Sequence, residues 1–96
     1  MNLYHIKRHK HGGWDTYSNF VVAAESAEAA FATHPRGEPR IMGPDPTRVD
    51  LDGDDWEFDS QCREWVRDIS EVTIRLIGTA SDGVEAGVIC ASFHAG

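Results

Sequence analysis

Apolar and polar residues alternate in the first stretch of the chain. Tyr4 and Ile6 are separated by His5 and followed by Lys7 and His9. That period of two predicts a strand over Leu3–His9, with Tyr4 and Ile6 facing inward and the basic and imidazole groups facing out. His11-Gly12-Gly13 is a turn signal, because glycine tolerates positive φ. A second strand is predicted over Asn19–Ala24. There Phe20, Val22 and Ala24 alternate with Val21 and Ala23, so both faces are apolar and the strand should be central. The two strands are expected to form an antiparallel hairpin with a connection longer than a two-residue turn.

The period changes at Glu25-Ser26. Ser26 is a good N-cap and Glu28 complements the helix dipole in the first turn. Ala27, Ala30, Phe31 and His34 fall on one helical face, with Phe31 as its anchor. Pro35 disfavours helical geometry at His34, so the helix should stop there. All four prolines then fall between positions 35 and 46. A long Pro/Gly/Asp-rich loop is expected over about 35–55, and loops of that size are mobile or functional. Phe58, Cys62, Trp65 and Val66 recur at helical spacing and predict a short second helix, unless Trp65-Val66 already begins extended structure. Val72, Ile74 and Leu76 alternate with Thr73 and Arg75, which predicts a strand over Glu71–Thr79. Ala80-Ser81-Asp82-Gly83 has turn chemistry, and Gly87–Phe93 reads as a fourth strand. The order β-β-α-loop-(α)-β-β is that of an α+β domain: an antiparallel four-stranded sheet with one main helix packed on one face.

The 96 residues make a single domain with a thin core. A net charge of −7 argues against nucleic-acid binding, which needs clustered Lys and Arg. The N-terminal MNLYHIKRHKHGG lacks the apolar stretch of a signal peptide, and no run is long enough to span a membrane. Cys62 and Cys90 then read as two free, largely buried thiols of a cytosolic protein, with a Cys62–Cys90 disulfide as the alternative that geometry decides.

Candidate chemistry is sparse. Asp50, Asp52 and Asp54 match the first three ligand positions of a calcium-binding EF-hand loop. The sixth position, normally glycine, is Asp55, and the twelfth, normally glutamate, is Gln61. The segment therefore reads better as a solvated acidic loop that supplies an N-cap to the next element. His5, His9 and His11 could share a metal-binding strand face, but Lys7, Arg8 and Lys10 between them would repel a cation. No nucleophile elbow or glycine-rich phosphate loop surrounds Cys62, Cys90, Ser92 or His94, so no catalytic residue and no cofactor are expected. At least two of Trp14, Trp56 and Trp65 should be needed for the core. Charge is distributed unevenly. The first eleven residues hold three basic side chains and three histidines with no acid, whereas residues 45–59 hold seven acids against Arg48 alone. Two poles of this kind suit self-association or a charged partner.

The segments MNLYHIKR, WDTYSNFVVAAESAEAA followed by His34-Pro35, VTIRLIGTA and GVICASFHAG resemble small accessory proteins encoded by tailed bacteriophages of actinobacteria. The likeness runs nearly the full length and is weakest over the Pro35–Asp55 loop. It implies an origin, with no activity, catalytic residue or cofactor attached. More loosely, the hairpin-helix-hairpin order looks like that of several phage anti-defence proteins. The leading expectation is a non-enzymatic phage accessory protein in the cytoplasm of an infected bacterial host, binding a host or phage protein. Its contacts are expected at Asp50, Asp52, Asp54, Asp55 and Asp59 in the loop and at Lys7, Arg8 and Lys10 on the hairpin. The alternatives are a small metal-dependent enzyme or metal-binding module using the Asp50–Asp55 carboxylates, and a self-associating minor virion or assembly component.

Overall fold

In the computed structural model, which describes residues 1–10, 15–40, 42, 44–49 and 64–94, four strands form one antiparallel sheet. Strand β1 (Asn2–Arg8) pairs with β2 (Thr16–Ala24), setting Tyr4 opposite Val22 and Ile6 opposite Phe20. These residues share one face and are almost fully buried. The expected hairpin is therefore formed, and β2 is central as its two apolar faces require.

Ser26 closes β2 and opens α1 (Ala27–Phe31). Its backbone is extended, and its hydroxyl accepts a hydrogen bond from the Ala29 N–H at 3.1 Å, satisfying one orphan donor of the first turn. Ala30 and Phe31 are buried as the helical face predicts. The helix is only five residues long and stops before His34. The chain reverses tightly instead. The Ala32 carbonyl accepts from Arg40 N–H (2.8 Å), His34 N–H donates to the Glu38 carbonyl (2.7 Å), and Gly37 turns the corner at φ +100°. A carbonyl engaged by Arg40 does not extend the helix.

The loop after this reversal contributes to the core. Arg40 is buried, with its guanidinium 5.0 Å from the Phe31 ring centre and donating to the Val66 carbonyl. Val49 is buried as well, and its N–H donates to the Arg67 carbonyl at 2.9 Å. Trp65 packs edge-to-face on Phe20, with ring centres 5.5 Å apart. Trp65 and Val66 are both buried. The rest of the predicted second helix lies outside the described residues.

A 3-10 turn (Ile69–Glu71) leads into β3 (Val72–Thr79), and β4 (Gly87–His94) follows. These two strands do not form the second hairpin that their order suggests. β3 pairs with β1 and β4 pairs with β2, so the sheet runs β3-β1-β2-β4 and the late strands take opposite edges. The connection crosses the end of the sheet where β1 begins and β2 finishes, and Ala80 N–H donates to the Met1 carbonyl there (2.8 Å). Three inter-strand spacings are about 14 Å. The seven residues between β3 and β4 cover that distance without strain.

One face of the sheet is covered by α1 and by the segment holding Trp65. The other face carries His5, Lys7, Val21, Thr73, Arg75, Cys90 and Ser92, none of them buried. Cys90 is accordingly a free, exposed thiol, which corrects the expectation of burial. Its strand is apolar in sequence, but it lies at an edge, so composition misled about burial.

Phe31→Ala should cost about 3–5 kcal/mol, because it empties a fully buried site between helix and sheet. A chain of this size has a total stability of only about 5–15 kcal/mol. Ser26→Ala should cost about 1 kcal/mol. Urea unfolding followed by far-UV circular dichroism reads both as shifts in midpoint at unchanged slope. Equal midpoints for the Phe31 variant and wild type would contradict the packing described.

Candidate functional site

A cleft of about 210 Å³ lies where β1 ends, lined by Arg8, His9, Lys10, Val66, Ser70 and Glu71. One wall is the continuation of β1. His9 N–H donates to the Glu71 carbonyl at 3.0 Å, extending the ladder to the start of β3. The His9 ring sits 2.8 Å from Thr73 Oγ1, and Lys10 is exposed at the rim.

The opposite wall is the 3-10 turn. Asp68 is its N-cap and accepts from Ser70 N–H at 2.9 Å. Glu71 reaches back, and its Oε2 accepts from both Arg67 N–H and Asp68 N–H at 3.1 Å. The two carboxylates thus satisfy the turn's orphan donors reciprocally. The Asp68 carboxyl is held below the usual aspartate range, first by the Ser70 backbone hydrogen bond, then by the Ser70 side chain, with Arg48 assisting. Arg48 Nε lies 3.1 Å from Asp68 Oδ2.

Arg8 anchors the inner end of the cleft. Its Nη1 donates to the Tyr17 carbonyl at 3.4 Å, and its guanidinium lies 5.9 Å from the Trp65 ring centre. Its Nε is enclosed without a hydrogen-bond partner. An enclosed cationic donor with nothing to donate to is costly unless a ligand supplies an acceptor. Arg8, His9 and Lys10 line the cleft beside a single carboxylate, Glu71, whose Oε2 is engaged by backbone donors. That arrangement can hold a carboxylate or another small anion. Its volume is below the roughly 300–1,000 Å³ typical of small-molecule pockets, so it fits a single side chain or a similarly small group.

The sequence-predicted residues divide into three groups. Arg8 and Lys10 come together in the cleft, while Lys7 is exposed on the open face of the sheet nearby. Asp50, Asp52, Asp54, Asp55 and Asp59 lie outside the described residues, as do His11, Trp14, Trp56 and Cys62. The other histidines are dispersed. His5 bonds Asn19 Oδ1 at 3.2 Å, and His34 is fully buried, accepting from Arg36 N–H at 3.1 Å. Among the described residues no group of three or more His, Cys, Asp or Glu is placed to hold a metal ion. In the sequence Val66 and Glu71 read only as parts of a helix and a strand, and Ser70 is not singled out. The Asp68-Ile69-Ser70-Glu71 spacing is a capping-box signature and could have marked the turn, though not its proximity to Arg8.

A second charged cluster lies beside the helix. Arg36 is paired with Glu38 (2.7 Å) and Glu64 (2.8 Å). Tyr17 packs against His34 and Phe93, with ring centres at 5.8 and 4.8 Å. Burial, and next the Glu64 charge, push the Tyr17 hydroxyl's pKa up, so the ring stays neutral in ordinary buffers.

No protein-family model, no curated protein and no solved structure matches this chain. No helix among the described residues is long and apolar enough to cross a membrane.

The capping box has a pH signature. The folded Asp68 pKa lies below its ordinary 3.8, so its contribution is fully present above that value and is lost as pH falls through the folded pKa. Asp68→Asn keeps a capping oxygen but not the titration. Urea midpoints measured down to pH 2 should show the wild-type advantage shrinking below about pH 4. A gap between the two proteins that is constant across that range would refute the assignment.

Proposed function

We propose that this protein is a non-enzymatic accessory protein that acts by binding another protein, and that the β1-end cleft receives an acidic side chain of that partner. The observation that carries this reading is the enclosed, unpartnered Arg8 Nε beside His9 and Lys10. A basic pole on a chain of net charge −7 also orients an acidic partner towards this end and away from the rest of the surface. A non-enzymatic role is supported by the lack of any nucleophile elbow or phosphate-loop motif in the sequence. The resemblance of the first and last segments to phage accessory proteins supports an infected actinobacterial cell as the setting. Host takeover and anti-defence are both roles that a small binding protein of this kind can serve there.

The test is affinity capture from the lysate of an actinobacterial host, using wild type and the Lys7→Glu/Lys10→Glu variant as baits. Both lysines are exposed, so the variant should fold normally. Wild type should retain a protein that the variant loses. Salt should release it, because the screening length falls from about 10 Å at 0.1 M to about 3 Å at 1 M. Equal retention by both baits, or nothing above background with either, would remove the proposal.

A further inference from the structure

The outer edge of β4 ends the sheet, and among the described residues nothing pairs with it. Residues 89–93 of this strand are all exposed, including Ile89 at 53% and Phe93 at 45%. A long, uncharged, apolar edge strand is a template for another strand. Gly87–Phe93 contains no Asp, Glu, Lys or Arg. The other edge is less suited, since β3 carries Arg75 mid-strand and Ile77 bulges out of its pairing with β1.

From these features we infer that two copies of this chain associate through β4, antiparallel across a two-fold axis at Ser92, into one eight-stranded sheet. The backbone sets the register. The Ser92 and His94 carbonyls point back towards β2, accepting from Ser18 Oγ (3.5 Å) and Asp15 N–H (2.5 Å). By strand alternation the N–H and C=O of Ala91 and Phe93 point outward. Ile89 is the extra residue of a bulge between the Val88 and Cys90 pairings, and a second bulge, with Ser18 of β2 as its extra residue, falls opposite Ser92–Phe93; β4 itself has no inserted residue from Cys90 onward, so its own alternation holds there. A two-fold axis at Ser92 uses that regular stretch. It pairs Ala91 with Phe93 of the second copy twice over and exchanges their outward hydrogen bonds. Each exposed Phe93 ring then faces a small Ala91, and the two Ser92 residues meet on the open face. No like charges oppose each other, although each copy carries a net −7.

The axis makes a specific geometric demand. The two Ser92 residues form a non-hydrogen-bonded pair, with Cα atoms about 4.5 Å apart. That lies within the roughly 4.4–6.8 Å a disulfide spans. In a Cys62→Ser/Cys90→Ser background, Ser92→Cys should therefore cross-link into a covalent dimer under mild oxidation. Arg75→Cys in the same background is the control on the other edge. Sedimentation of the wild type from micromolar to millimolar protein should show a monomer–dimer equilibrium. Ala91→Pro removes an outward donor at an edge position that tolerates proline, and should remain monomeric. A wild type that is monomeric throughout overturns the inference. So does a dimer that survives Ala91→Pro, or cross-linking of Ser92→Cys no faster than of Arg75→Cys. If Ala91→Pro loses its circular dichroism signal, the cross-linking comparison decides alone.

Discussion

The burial of Trp65 against Phe20 is the contact on which the rest of the structure depends. Phe20 belongs to the N-terminal hairpin, and Trp65 comes from the chain returning after the long loop. Their contact closes a span of 45 residues, which costs chain entropy, and a large buried aromatic pair offsets much of that cost in one place. Neighbouring groups then assemble on either side. Arg8 lies over the Trp65 ring, and Arg40 crosses from the Phe31 ring to the Val66 carbonyl. Val66 itself forms part of the cleft.

The cleft is thus a consequence of core packing. Arg8 is held by the Tyr17 carbonyl and the indole, which fixes its position. The facing turn is held by its own two carboxylates, Asp68 and Glu71. Glu71 keeps its charge while it caps those N–H groups, but Arg8 and Lys10 outnumber it along the cleft, so the site has a cationic excess inside an acidic protein. That contrast is the physical basis for assigning it a partner of opposite charge.

The topology divides the sheet into a local part and a distant part. The central pair β1 and β2 is a hairpin whose partners are close in sequence. Both edges are supplied by the C-terminal third of the chain, joined across the end of the sheet. Among the described residues, both sheet edges and one face are left uncovered by this wiring, because the five-residue α1 is too small to cover more than part of one face. Bulges at Ile77 and Ile89 break the regularity of both edges, and a further bulge at Ser18 of β2 lies opposite Ser92–Phe93, so β4 carries no inserted residue of its own only from Cys90 onward.

Local pattern alone determined a good deal of this structure. The alternation of Tyr4 and Ile6, the two apolar faces of Phe20–Ala24 and the Ser26 cap all specify structure within a few residues, and each matches the fold. The extents of β3 and β4 were legible for the same reason. Which strands pair was not, since pairing is a long-range choice, and the adjacency of β3 and β4 in sequence pointed to a hairpin that does not form. The exposure of Cys90 follows from that same choice: an apolar strand is buried in the middle of a sheet and open at its edge. Lys10 and Arg8 were visible as basic residues, but only the tertiary fold set them against Ser70 and Glu71, some sixty residues away, by closing the chain over Trp65.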